Sequence, residues 1–479
     1  MAKYSGQNCY LSITYPETAR NSHSFTIFVR QTNPMTILKD YLAFPASLLL
    51  AVAFVLAAYV LHRYYPQSKL VRALSSLRCS RVLLGVGAIG LAVEGTWSVP
   101  LHDTIPAAIF ALVLLLSLSL TVLDGVRRMA TRPASTSGTT RPAQTATRPT
   151  IPALLSHAGI AVILFAALFG APDVTRARIT LYAPVPEQCP VQAPDATRAR
   201  ITVPQGKAVT IARTDEGLLL PLPFEVALEQ FTIDHYPDSR SPRQYTSRLR
   251  IDGKACEVSV NHPLRHGGYT IYQDSYDQQA GSFTVLQLVR DPWLPLIFAG
   301  IALLAAGAIG LLAGQWKAKL LIPAVLVLTI LFTLLSIKKI ELGTLAPALR
   351  SWWFVPHLFV YMVAYSLMAL ALLVRLLPLR DKVALSGKLL RSSSALLVLG
   401  MLCGSVWAYQ AWGSCWAWDP KENWAAVTWI LALVQLHLPN KGGWKAVTLL
   451  ILAFLALQIT WYGVNWLPSS INSLHTYNQ

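Results

Sequence analysis

Trp412-Gly413-Ser414-Cys415-Trp416-Ala417-Trp418-Asp419-Pro420-Lys421-Glu422-Asn423-Trp424 lies between two apolar stretches, and its reading decides what kind of protein this is. Four tryptophans within thirteen residues make a broad, flat, apolar surface with N–H handles. Such a surface suits the membrane–water boundary, and it equally suits a large planar ligand. The segment also holds its own helix start. Asp419 is placed to cap the amides that follow, Pro420 fits the first helical position, and Glu422 stands where a capping box closes. A helix is therefore expected to leave this surface and enter the bilayer. An aromatic belt with a good N-cap would account for all of these features. Against so plain a reading, histidines flank the segment where a buried ligand could use them.

Outward from this stretch, the 479 residues are 54% apolar and 13% charged, with a mean hydropathy of +0.45. The apolar residues fall in runs of bilayer length, which excludes an ordinary soluble protein. The candidate spans are 42–61, 81–98, 104–124, 153–171, 294–313, 320–337, 355–377, 391–411, 425–439 and 444–464, of which 425–439 is the shortest. The expected fold class is a polytopic α-helical membrane protein of about ten transmembrane helices with one extracytoplasmic β-rich domain. Residues 1–41 are polar and mixed and contain no short apolar core of a cleavable signal peptide.

A net charge of +17 could point to nucleic acid, but most of the basic residues fall in short connections between spans. There they orient a membrane protein, and no nucleic-acid partner is expected. Arg63, Lys69, Arg72, Arg78 and Arg81 fill one connection, Arg127, Arg128, Arg132, Arg141 and Arg148 another, and Lys317 with Lys319 a third. Arg375, Arg380, Lys382, Lys388 and Arg391, then Lys441 with Lys445, complete the set. The positive-inside rule makes these connections cytoplasmic, so segment 172–293 and the tryptophan motif lie outside. Lys338, Lys339 and Arg350 fall on the outer side against this scheme and are outnumbered.

The organisation that follows is an N-terminal segment 1–41, membrane helices over 42–171 with a polar, proline-punctuated cytoplasmic linker at 125–152, an outer domain 172–293, and a second membrane region 294–479. The outer domain carries short alternating runs such as Arg200-Ile201-Thr202-Val203 and Tyr269-Thr270-Ile271-Tyr272. Thr-Arg-Ala-Arg-Ile-Thr occurs at 175–180 and again at 197–202, a repeat too short to establish a repeat architecture. Six cysteines show neither metal-ligand spacing nor a Cys-x-x-Cys-His motif, so the chain is not itself a c-type cytochrome. Cys189 and Cys256 share the outer domain as a disulfide or as two thiols.

Ten histidines separate by expected depth. His357 opens the span after Ser351-Trp352-Trp353-Phe354, and His475 lies beyond the last span, both on the tryptophan side. Two neutral imidazoles there could ligate a haem iron from opposite faces while tryptophans cover the porphyrin. His437 stands about 20 Å below the outer boundary at the rise of an α-helix, and His157 lies at a similar depth, so the two could meet. Ionisable groups so deep are functional candidates, although each could also snorkel from its helix end. His62 reads as interfacial, His102 sits in an outer turn, His235, His262 and His266 belong to the outer domain, and His23 to the terminal segment.

The stretch from Trp412 to Trp424 resembles the tryptophan-rich WWD signature of haem-handling proteins, with Trp418-Asp419-Pro420-Lys421-Glu422 at its centre. Gly463-Val464-Asn465-Trp466, Ser473-Leu474-His475-Thr476-Tyr477 and Ser351-Trp352-Trp353 with His357 are similar to elements of the CcsA family. His157-Ala158-Gly159, Asn261-His262-Pro263-Leu264-Arg265 and Gly268-Tyr269-Thr270-Ile271-Tyr272-Gln273 resemble the ResB family. From about residue 80 onward the chain thus resembles a fusion of ResB and CcsA, the System II cytochrome c synthase. Cys415, Thr476, the short outer domain and the additional N-terminal span depart from that pattern.

The resemblance implies a protein of the bacterial cytoplasmic membrane, with the motif and the β domain facing the periplasm, that moves haem b across and joins it by thioether bonds to Cys-x-x-Cys-His of apocytochrome c. His357 and His475 would be the outer iron ligands and the catalytic pair, beside Trp412, Trp416, Trp418, Asp419 and Trp424. His157 and His437 would form the inner pair, with His102 in reserve. The expected partners are apocytochrome c, a thioredoxin-like thiol reductant and membrane lipid. A haem exporter without attachment activity and a b-type electron-transfer subunit are the rival readings.

Overall fold

Apolar runs become helices here, and the alternating segment between the third and fourth of the helices long and apolar enough to cross a membrane becomes a sheet. The structure, a computed structural model, describes residues 41–130, 150–182, 208–277, 283–314 and 345–473 apart from 216 and 238. It also gives the backbone of three short strands, β1 (Tyr4–Ser5), β2 (Asn8–Ile13) and β3 (Phe25–Val29), which pair antiparallel.

Ten α-helices follow among the described residues: α1 (Ala46–Tyr64), α2 (Lys69–Leu74), α3 (Leu77–Trp97), α4 (Ile105–Ala130), α5 (Ile151–Gly170), α6 (Leu294–Ala313), α7 (Phe354–Leu376), α8 (Lys382–Trp412), α9 (Pro420–Leu436) and α10 (Trp444–Trp461). All but α2, α3 and α9 are long and apolar enough to cross a membrane. With α3 and α9 the helices fall on nine of the ten expected spans, and 320–337 lies outside the described residues. The chain is a polytopic membrane protein with a β domain.

Two helix ends differ from the expected ones. α4 runs to Ala130, into the expected linker, because Asp124 pairs with Arg128 one turn on and the cations of its last turn offset the helix dipole. α8 starts at Lys382, well before the apolar run at 391, because its polar first turns dock on α7. Ser386 donates to the Ala371 carbonyl at 2.9 Å and Ser393 to that of Ala364 at 2.8 Å.

Packing in the bundle relies on small residues, since lipid gives apolar side chains little reason to prefer one another. Met368, Ala371, Leu390, Ala432, Leu450 and Ala453 are fully buried where α7, α8, α9 and α10 meet. α5 and α6 touch backbone to backbone at Gly159 and Gly300. A Cβ at Gly159 would lie 2.5 Å from the Leu304 nitrogen.

The β domain is one antiparallel sheet of eight strands in the order β8-β7-β6-β5-β4-β11-β10-β9. These are β4 (Thr175–Tyr182), β5 (Val209–Thr214), β6 (Leu219–His235), β7 (Pro242–Ile251), β8 (Lys254–Ser259), β9 (Leu264–His266), β10 (Tyr269–Tyr276) and β11 (Phe283–Arg290). Period-two alternation puts Ala177, Ile179 and Leu181 of β4 on the buried face with Leu249, Ile251, Leu286 and Leu288. The first copy of the repeated hexapeptide is in β4, while the second, with Cys189, lies outside the described residues.

Short polar contacts seat the domain on one end of the bundle. Asp173, at the turn from α5 into β4, accepts from Phe44 N and from the Trp293 indole at 2.6 Å each, and from Ser47 Oγ at 2.8 Å. Asn261, of the ResB-like segment, donates to the carbonyls of Pro347 and Ala348 at 3.0 and 3.1 Å, and its own carbonyl accepts from Gln410 at 2.9 Å. Arg176 of β4 reaches Ser414 of the tryptophan motif at 3.3 Å.

Candidate functional site

α9 joins two clusters of aromatic and imidazole side chains. It begins at the tryptophan motif beside the β domain and ends at His437, about 25 Å away for its 17 residues. The start is built as the sequence indicates. Asp419 accepts from Lys421 N at 2.8 Å, the Glu422 carboxylate accepts from Asp419 N at 3.2 Å and from Ala417 N at 2.7 Å, and Pro420 takes the first position. The other Asp419 oxygen accepts from Ser473 Oγ at 2.9 Å. Asp419 is 4% exposed. This carboxylate builds the turn and also ties the segment after α10 to it.

At the far end, the rings of His157 and His437 stand 6.4 Å apart between centroids, at an interplanar angle of 77°. Each Nδ1 lies by the carbonyl four residues back on its own helix, at 2.6 Å from Ala153 O and 2.7 Å from Leu433 O. A carbonyl only accepts, so each Nδ1 carries the hydrogen and each Nε2 keeps the lone pair that a metal or proton would use. The structure thus brings together two imidazoles from the two halves of the chain, both in the ligating tautomer.

At the β-domain end, His357 sits between α7 and α8. Its Nδ1 donates to Gly400 O at 2.8 Å, again leaving the lone pair on Nε2, and its ring lies 5.9 Å from that of Trp407. Trp407 contacts Trp412 at 5.7 Å. The chain then turns at Gly413, in the left-handed region at φ 76°, where a Cβ would meet Tyr272 and Val289 of the β domain at 2.8 Å. Trp416 and Trp418 stand edge to face at 6.2 Å, and Trp418 takes the strained φ of 58°. Trp424 packs on Gly95 of α3, where a Cβ would meet its ring at 3.2 Å, and its buried indole N–H has no acceptor among the described residues. Burial, aided by the nearby Asp291 and Glu422 carboxylates, pushes the Cys415 thiol up to about 12. His475 lies outside the described residues.

His102 is not at the far end with His157. It lies flat on Trp418, with ring centroids 4.3 Å apart and planes 6° from parallel. Its Nδ1 is paired with the carboxylate of Glu94, which is 5% exposed in α3. His102 is in the outer turn expected from the sequence, and Glu94 is a partner not named from the sequence alone. The signal lies in the sequence, because Glu94 is the single acidic residue in span 81–98, and a carboxyl group inside a membrane span needs a partner.

The fold and these clusters define a polytopic membrane protein in which a helical bundle carries a tryptophan-rich turn against a β domain. Residues 148–282 match the ResB-like family, and residues 295–472 match the family described as cytochrome C assembly protein. The chain is a fusion of the two, a ResB/CcsA protein of the System II type. It is 29% identical over 189 residues to the cytochrome c biogenesis protein CcsA of Chlamydomonas reinhardtii, a match covering 35% of this chain and 54% of that protein. With the CcsA proteins of Hordeum vulgare and Oryza sativa it shares 41% and 42% identity over 85 residues, 17% of this chain and 26% of each relative. The chain thus spans about half the length of the first relative and about a quarter of the others.

Proposed function

We propose that this chain carries haem b from the far end of the bundle to the tryptophan motif and joins it there to apocytochrome c. One observation carries the reading. A single helix, α9, has the tryptophan turn at its start and His437, its ring edge-on to that of His157, at its end. Both family matches, each on its own part of the chain, support a role in cytochrome c biogenesis.

A nitrogen–metal bond of about 2 Å, with each ring centroid about 1 Å further out, sets two imidazoles on opposite sides of one ion about 6 Å apart. The separation of 6.4 Å between His157 and His437 fits that arrangement. Haem is apolar in its ring and anionic at its propionates, so a bis-imidazole site inside a bundle would hold it partway across the membrane. At the motif, His357 and His475 would hold the iron and Trp412, Trp416, Trp418 and Trp424 would offer their rings to the porphyrin. The orphaned Trp424 N–H suits a polar group of such a ligand.

The apocytochrome then presents the two thiols of Cys-x-x-Cys-His. Each S–H adds across one vinyl C=C, with sulfur bonding to the carbon next to the ring and hydrogen ending on the terminal carbon. Atoms and electrons balance, so no oxidant is needed, and the role of the protein is positioning. Asp419 shapes the turn rather than moving a proton, because both of its oxygens already accept hydrogen bonds. The substrate thiols must stay reduced, which calls for a thioredoxin-like partner. The basic connections support an orientation with the motif and the β domain on the periplasmic side of a bacterial cytoplasmic membrane.

The test is co-expression with an apocytochrome in cells lacking their own maturation system, scored by haem that stays on the reporter through denaturing electrophoresis. Covalent haem is expected. Haem bound to this chain with none attached to the reporter would leave an exporter or a b-type electron-transfer subunit in its place.

A further inference from the structure

At the far end of the bundle, a cavity of about 450 Å³ is lined by Lys382, Lys388, Arg391 and Lys441, with Asp381 the one carboxylate on its wall. The cations come from two elements, the first three turns of α8 and the loop after α9. That loop is held in place. Arg375, 6% exposed, donates to the carbonyls of Lys441 at 3.0 Å and Gly442 at 2.7 Å, and Asn440 Oδ1 accepts from Gly442 N and Gly443 N. The first turn of α8 lines the same cavity through Lys382, Val383 and Ala384, and Asp381 makes no side-chain cap there.

Orientation in a membrane requires cations at this end but does not require them to converge on one cavity. Arg380 and Lys445 belong to the same connections and do not line it. Burial, and after it the Arg391 guanidinium, push the Lys441 ammonium down, the cost of a cation held out of water beside another. Lys441 of the cavity wall is also four residues past His437, in the loop that follows α9.

We propose that this cavity receives the two propionate carboxylates of the haem whose iron lies at His157 and His437. The proposal rests on the haem reading above, and it assigns the anionic edge of the substrate to residues that touch neither the iron nor the tryptophan motif. Phosphate on an anionic lipid offers related chemistry at the same membrane face.

The experiment uses the purified full chain in neutral detergent with two metal-free probes, protoporphyrin IX and its dimethyl ester, whose carboxylates are capped. Binding is read by porphyrin fluorescence. The free acid should bind about tenfold more tightly than the diester, as expected of charge-assisted hydrogen bonds to its carboxylates. In the combined variant Lys388→Gln, Arg391→Gln, Lys441→Gln the preference should fall below about twofold with diester affinity unchanged. Arg380→Gln with Lys445→Gln should keep it, and so should Lys388→Arg with Lys441→Arg. Equal affinities in the unmodified chain, or a preference that survives the triple change, would overturn the proposal. Loss of the preference on adding phosphatidylglycerol micelles would give the cavity to lipid headgroups instead. Because the probes carry no iron, His157→Ala should lose the haem spectrum yet keep the acid-over-ester preference, which separates this idea from the imidazole assignment.

Discussion

Each of the three described candidate ligands is oriented by the same small device. His157, His357 and His437 all give their Nδ1 hydrogen to a backbone carbonyl, so each ring is oriented and its lone pair sits on Nε2. If His157 and His437 hold iron, replacing either by alanine should lower the haem in purified protein by about tenfold or more, and added imidazole should restore part of it. Unchanged haem content in either variant would remove that role. Cys415 gives a second prediction at this scale. With its thiol pushed up to about 12, only on the order of 10⁻⁴ of it is ionised at pH 8, far less than for an ordinary cysteine. The sign follows directly, since a raised thiol value means less thiolate at any given pH. Maleimide should therefore label Cys415 very slowly at pH 7–8 in the folded protein and quickly after denaturation. Fast labelling of the native chain would show that the tryptophan turn is open.

At the scale of elements, α9 is the connection between the two clusters, and its start bears more than its own helix. The Asp419 carboxylate caps α9 through one oxygen and holds Ser473 through the other. Asp419→Ala should cost about 0.5–2 kcal/mol from the cap alone, read as a lowered thermal midpoint by circular dichroism. Asp419→Asn should recover most of that loss, because asparagine caps as well as aspartate. A midpoint unmoved by the alanine change would mean that the aromatic packing holds the turn without its cap. The same turn shows how far local signals reach. Asp419, Pro420 and Glu422 are legible three residues at a time, since a capping box is a local pattern. The stack of His102 on Trp418 is not, because it joins residues more than three hundred positions apart through the packing of α3 on α9.

Over the whole molecule, charge and architecture agree. The described helices alternate in direction between the β-domain end and the far end from α3 to α6 and again from α7 to α10. The connections at the far end carry Arg63, Lys69, Arg72, Lys382, Lys388 and Lys441, whereas the described turns at the β-domain end carry Arg350 alone among lysines and arginines. Under the positive-inside rule this asymmetry favours the proposed orientation, with the β domain outside the cell membrane. In a background without other reactive thiols, Arg240→Cys in the β domain should react with a membrane-impermeant maleimide in intact cells with a permeable outer barrier. Lys388→Cys should react only after lysis. The opposite pattern would invert the direction proposed for haem.

Hydropathy, turn chemistry and charge were enough to determine that the chain crosses a membrane many times, that it carries a β domain, and that helix α9 starts at Asp419, because these depend on periodicity and on neighbours in sequence. Depth counted along two helices also placed His157 and His437 at one level. Whether they met was a matter for the tertiary structure alone, since rotation of each helix about its axis is set by how Gly159 seats α5 on α6 and how Gly95 seats α3 on α9. The same packing moved His102 onto Trp418, paired it with Glu94, and gathered four scattered cations around one cavity. No local pattern encodes such meetings, because each is the sum of many side-chain fits between elements far apart in the chain.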